Sequence, residues 1–123
     1  MFEFQKLEVY RKAKHFHMEC QSVMLLGTFQ KHMNDQLSRA ASSIAINIAE
    51  GSARFTRADR SNFFKISRGS VFECVSILDI LKDQEMLSQE SYGRMLMQAD
   101  ELSRILFKMI SNLNEKKLYQ QRR

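Results

Sequence analysis

Between Arg54 and Arg68 the chain carries five cations, Arg54, Arg57, Arg60, Lys65 and Arg68, against one carboxylate, Asp59, a net of +4, with Phe55, Phe63 and Phe64 interleaved. Guanidinium forks match phosphate oxygens two at a time, and cations that neutralise a polyanion release its condensed counterions. The chemistry such a cluster offers is an electrostatic grip on a phosphate backbone, of RNA or DNA. Arg11, Lys14 and the cations Lys116, Lys117, Arg122 and Arg123 are its auxiliaries. No side chain in the cluster is placed to read a base edge, so the expected mode is positioning on phosphates rather than sequence recognition. The competing structural use pairs Arg68 and Lys65 with Glu50 and Glu73, which leaves a smaller exposed patch.

Other chemistry is weakly supported. His15, His17, His32, Cys20 and Cys74 are the candidate metal ligands, yet they include no close CxxC, and His15 and His17 point to different sides of a helix. No metal site and no cofactor is expected. There is no GxSxG nucleophile turn, and Glu50-Gly51-Ser52 lacks the paired glycines and lysine of a phosphate loop. Glu50 is the one carboxylate with a case for acid or base work. Its expected partners are Arg39, Arg54 or Arg68, because no second carboxylate or histidine stands by to share a proton. The expectation is a protein that is not an enzyme.

The elements that must carry the cluster follow from periodicity. A first helix over about 4–26 places Val9, Ala13, Phe16, Cys20, Val23 and Met24 on one stripe, with Gly27 as its stop. Its opposite face mixes Arg11 and Lys14 with Leu7, Met18 and Leu25. A second helix over about 35–50 starts from Asn34 or Asp35 and ends at Gly51. Leu37, Ala41, Ile44 and Ile48 form its core face, and Gln36, Arg39, Ser43, Asn47 and Glu50 form a polar seam in which a buried Asn47 would fix register. Small residues Ala40, Ser42, Ala45 and Ala49 allow neighbours to come close. Thr56, with Asp59 three residues on, opens a third helix over 57–83, and Ser88 opens a fourth over about 89–119.

The third helix is the least ordinary of the four. Phe63, Phe64, Ile66, Val71, Phe72, Cys74, Val75, Ile77, Leu78 and Leu81 spread over most of its circumference, with only Asn62, Lys65, Gly69, Glu73 and Ser76 as a polar or small arc. A lone bundle leaves each helix a wet face, so further copies of the chain are expected to cover this one. Phe63, Phe64, Phe72, Val75, Leu7 and Met18 are the expected contacts between copies. The fourth helix is one-sided, with Tyr92, Met95, Leu96, Ala99, Leu102, Leu106, Met109, Ile110 and Leu113 on its stripe.

The run SSIAINIAEG, preceded by QLSRAA and followed after a short basic loop by FFKISRGSVFE, resembles the family of four-helix-bundle proteins encoded in intervening sequences of bacterial 23S ribosomal RNA. The opening KLEVYRKA is similar to that family's first helix, and the resemblance spans roughly residues 4–82. Two departures stand out: Tyr10 occupies a position where the family usually shows Trp, and the connection from Gly27 to Asn34 is short and has no proline. The resemblance implies a basic, oligomeric helical protein. Related accessory proteins of diversity-generating retroelements are pentameric barrels that associate with nucleic acid and a reverse transcriptase, so a pentamer is the implied assembly.

Composition is consistent with that picture. The 123 residues include no proline, no tryptophan and four glycines, which suits a single mostly helical domain over 1–123. Nineteen basic against fourteen acidic side chains give +5, a bias toward polyanionic partners that assembly around an axis would multiply. Cys20 and Cys74 lie in apolar periodic segments and read as buried thiols. The opening Met1-Phe-Glu-Phe-Gln-Lys has no basic leader or apolar run, and no stretch reaches the roughly 18 apolar residues of a membrane span, so a soluble cytoplasmic protein is expected. The fold expected is all-α, an antiparallel up-down-up-down four-helix bundle that assembles into a cyclic homo-oligomer. The expected function is low-specificity nucleic-acid binding or association with ribosomal RNA. The alternative is an oligomeric scaffold that docks another protein.

Overall fold

Thr56 Oγ1 accepts the Asp59 N–H at 3.1 Å and Ser88 Oγ accepts the Ser91 N–H at 3.1 Å, so two helices begin where the sequence supplies a hydroxyl cap. In this computed structural model, which describes residues 1–24 and 30–122 and the side chains outside 115–122, a 3₁₀ turn at Glu3–Lys6 precedes four α-helices. They are α1 (Glu8–Met24), α2 (Lys31–Ser52), α3 (Arg57–Asp83) and α4 (Gln89–Arg122). No strand occurs among the described residues. Gly27 and Leu25 lie outside them, as do Arg123 and the side chains of Lys116, Lys117 and Arg122.

Each helix has two neighbours. α2 packs on α1 and α3, and α4 packs on α3 and α1, while no Cα of α1 comes within 8 Å of α3 nor any of α2 within 8 Å of α4. Phe16, Leu37, Ile44, Ile48, Leu78, Leu81, Met95, Leu102 and Leu106 fill the space enclosed by this ring and are fully buried. Each contributes about 1.5–3 kcal/mol by leaving water. The α1 stripe is as the spacing predicts, with Val9, Ala13, Phe16, Cys20 and Val23 all buried.

Three helix ends differ from the sequence expectation. Leu7 is extended, with φ −70° and ψ 130°, so the first helix starts at Glu8 instead of near Phe4. The break lets Phe4 meet Tyr10 edge-on at 4.9 Å and turns Leu7 toward the end of the core. α2 begins at Lys31, because the extra turn brings Met33 against the core, and its N-cap Gln30 has no side-chain cap bond. Gly51 does not stop α2. It lies inside the last turn, where a Cβ would stand 2.7 Å from Phe64 Cε1 and 3.0 Å from Phe63 Cβ, so its lack of a side chain serves close packing.

The third helix hides most of its apolar surface within one chain. Phe64, Val71, Cys74, Ile77, Leu78 and Leu81 are buried because α2 and α4 flank α3 on two sides at short range. A wet arc remains. It holds Asn62, Lys65, Gly69, Glu73 and Ser76, together with Ile66, Phe72 and Ile80, which are about half exposed. Contrary to the sequence expectation, most of the apolar surface of this helix is covered within one chain, and only Ile66, Phe72 and Ile80 are left about half exposed.

The polar seam of α2 is also rearranged. Ser67 Oγ donates to Ile44 O at 2.8 Å, and Ser70 Oγ pairs with Ser43 Oγ at 2.8 Å, so short hydroxyls tie α3 to α2. Asn47 is half-buried and its amide folds back on its own helix, donating to Ser43 O at 2.8 Å and Ser43 Oγ at 2.9 Å. Register is held by serines, in place of the asparagine. Gln36 and Arg39 make no side-chain hydrogen bond or ion pair among the described residues, and Glu50 pairs with Arg54.

Candidate nucleic-acid interface

The α2–α3 corner that carries the cations is a four-residue connection, Ala53 to Thr56, held by backbone and side-chain bonds. Ala53 N–H donates to Ala49 O and Arg54 N–H to Gly51 O, both at 3.2 Å, and Arg60 N–H returns to Thr56 O at 3.1 Å. Arg60 Nε donates to Arg54 O at 2.7 Å, which ties the first turn of α3 back to the connection. The corner is thus ordered by its own contacts.

The five clustered cations have different fates. Arg54 is exposed, 3.1 Å from Glu50 and stacked 4.6 Å over the Phe63 ring, while Arg60 and Lys65 are exposed with no carboxylate partner among the described residues. Arg57 is half-buried, and its Nη1 is shut from solvent without an acceptor, so part of its fork faces inward. Arg68 belongs to a different surface. It donates from Nε to Ser103 O at 3.3 Å and lies between Phe72 at 4.8 Å and Phe107 at 5.3 Å. The pairing of Arg68 with Glu50 or Glu73 that the sequence suggested is not formed, and a main-chain carbonyl and two rings take its place.

The auxiliaries on α1 stand apart from the corner. Arg11 donates from Nη2 to Lys6 O at 2.8 Å and borders a groove of about 500 Å³ between α1 and α4, in company with Glu8, Lys12, His15, Gln98 and Glu101. Lys12 bridges Glu8 and Glu101 there, and the Glu101 hydrogen bond above all raises its pKa. This groove is of mixed sign. Lys14 is exposed and sits 5.0 Å over the Tyr10 ring.

The expected inter-copy contacts divide as well. Phe64 is buried against Gly51 inside the chain and is not available to a partner. Phe63 lies half-buried under Arg54, and Leu7 is half-buried against the core. Phe72 and Met18 are open to solvent, and Val75 shares with Phe72, Leu96 and Ser103 a groove of about 260 Å³ between α3 and α4. Phe107, left off the α4 stripe by the sequence reading although it projects beside Leu96 at the edge of that stripe, is 58% exposed and extends this strip.

Cys20 and Cys74 are free thiols, both buried. Among the described residues no three or more His, Cys, Asp or Glu side chains gather where they could hold a metal ion. No helix there is long and apolar enough to cross a membrane.

The model of the 23S rRNA-intervening sequence protein family matches residues 5–108. The chain belongs to that family. A solved structure described as a protein of unknown function from the S23 ribosomal protein family of Bacteroides thetaiotaomicron is 24% identical to this intervening-sequence protein. The similarity covers 83% of this chain and 97% of that one, with a TM-score of 0.78, so the four-helix fold is shared. No curated protein matches the chain. The resemblance seen in SSIAINIAEG and FFKISRGSVFE therefore reflects family membership, with the match extending past α3 to residue 108.

Proposed function

We propose that this intervening-sequence protein is a non-enzymatic, basic oligomer that binds the phosphate backbone of RNA with low sequence specificity, through the corner between α2 and α3. One observation carries the reading: of the five cations in 54–68, only Arg54 has a carboxylate within 4 Å among the described residues. Arg68 is taken up by its own chain without an acid, whereas Arg60 and Lys65 stay exposed and unmatched by any carboxylate among the described residues. Arg54, Arg60 and Lys65 face solvent on an ordered loop and helix start, which costs little entropy to present.

The reading includes an antiparallel up-down-up-down bundle, supported by the ties Gly51 to Phe64, Ile44 to Ser67 and Ser43 to Ser70, whose numbers descend on α2 as they climb on α3. It also includes a cyclic homo-oligomer in the cytoplasm, a pentamer by family resemblance. The exposed strip of Phe72, Leu96 and Phe107 supplies apolar surface for contact between copies, and repetition would multiply three modest cations into a ring. The same strip favours the second reading, a scaffold that docks another protein.

Salt separates the two. Three phosphate contacts per chain give a slope of about −2 to −3 in log K against log salt, whereas docking on the apolar strip is nearly insensitive. In a filter or anisotropy assay with labelled RNA, Arg60→Ala combined with Lys65→Ala is expected to lose binding while circular dichroism and oligomer size stay the same. Unchanged affinity in that variant would falsify the phosphate reading.

A further inference from the structure

Among the described residues Phe55 is the most solvent-exposed large apolar side chain, at 101% of its reference area, and it sits at the tip of the α2–α3 corner, where none of them covers it. Yet the backbone on both sides is fixed: Arg54 N–H is bonded to Gly51 O, Arg54 O accepts from Arg60 Nε, and Thr56 caps α3 through the Asp59 N–H. A phenyl ring is thus presented to water from an ordered loop, between the exposed cations Arg54 and Arg60.

We propose that Phe55 is a stacking platform for an unpaired base of single-stranded RNA whose phosphates lie on the cations beside it. The proposal rests on the RNA-binding reading above and deepens it by naming the form of the strand. Every base offers a π-face, so stacking on an aromatic ring tolerates any sequence, as low-specificity binding requires. In a duplex both faces of an internal base are already occupied, and a ring on a convex loop cannot reach them; unpaired bases can splay out onto it. Arg54, the residue before Phe55 in the chain, holds its guanidinium 4.6 Å over the Phe63 ring and keeps its charge exposed at the same corner. A protein partner is less favoured, because the segment 54–60 that carries the ring holds three arginines and one aspartate, a composition that suits a polyanion better than an apolar groove.

The chain contains no tryptophan, so Phe55→Trp creates a single tryptophan at the proposed contact, excited apart from the three tyrosines at about 295 nm. With a single-stranded oligouridylate in low salt, that emission is expected to be quenched as the strand binds, and Phe55→Trp keeps the native affinity. Phe55→Ala is expected to weaken single-strand binding about tenfold, with the salt slope unchanged, and to leave binding of a blunt RNA duplex unaffected. Anisotropy of the labelled strand reports binding independently of the tryptophan. If the strand binds but the emission does not change, or if Phe55→Ala binds as tightly as the native chain, stacking is overturned and the phosphate reading stands. If the native chain binds neither single strand nor duplex, both readings fall.

Discussion

The Phe64 ring lies so close over Gly51 that a Cβ at Gly51 would stand 2.7 Å from Phe64 Cε1, inside the distance that real Cβ contacts reach. Gly51→Ala therefore has opposing effects. It gains about 1 kcal/mol of helix propensity, but it must displace a ring that is only 5% exposed and packed in the core. Overpacking of this kind costs about 1–3 kcal/mol, so the expected net is a loss, read as a lower urea midpoint with unchanged m. A variant at least as stable as the native chain would show that the corner relaxes freely.

The connection between α3 and α4 stores a small strain. Met86 N–H bonds Leu81 O at 2.9 Å and Glu85 N–H bonds Lys82 O at 3.0 Å, the paired pattern of a Schellman ending, with Glu85 in the left-handed region at φ 60°. An L side chain there costs about 1 kcal/mol that glycine does not. Glu85→Gly is expected to raise stability by about that amount in chemical denaturation. A decrease would mean that the Glu85 side chain contributes something more than its backbone strain.

Cys20 is fully buried, and the neighbouring Cys74, followed by burial, pushes its thiol pKa up. Below the ordinary thiol pKa of about 8.5 folded and unfolded chains both hold the proton. Above it the unfolded chain releases the proton and the folded chain keeps it, so stability falls as pH rises, by up to about 1.4 kcal/mol per unit. Urea midpoints between roughly pH 7.5 and 9.5 should trace this fall, and Cys20→Ala should flatten it. An equal slope in both proteins would remove Cys20 as the cause. No disulfide is expected under oxidation, because α1 and α3 have no Cα pair within 8 Å and a bridge needs less than about 7 Å.

Where the sequence was informative, a local device set the outcome. α3 spans Arg57–Asp83 as predicted, because the Thr56 hydroxyl caps it and the strain at Glu85 ends it nearby. The buried stripe of α1 follows from spacing alone. Periodicity names the apolar face of a helix, but it is silent on how near the neighbours stand. That distance is what buried Phe64 and Cys74 inside one chain, turned Gly51 from an expected stop into a packing site, and allowed Ser67 to reach the Ile44 carbonyl. At the candidate site the exposed Arg60 and Lys65 were legible as an unmatched charge run. The sequestering of Arg68 was not, since Phe107 and Ser103 lie on α4, 35 or more residues away.

The tie between Ser67 and Ile44 closes a span of 23 residues, whereas the pair Arg94 and Glu19 closes 75. For a flexible chain the longer closure costs about 1 kcal/mol more. The segment from Lys31 to Asp83 can therefore zip into a hairpin of two helices before its flanks dock, and a growing polypeptide would have that part of its architecture in hand while its final third is still inside the ribosome.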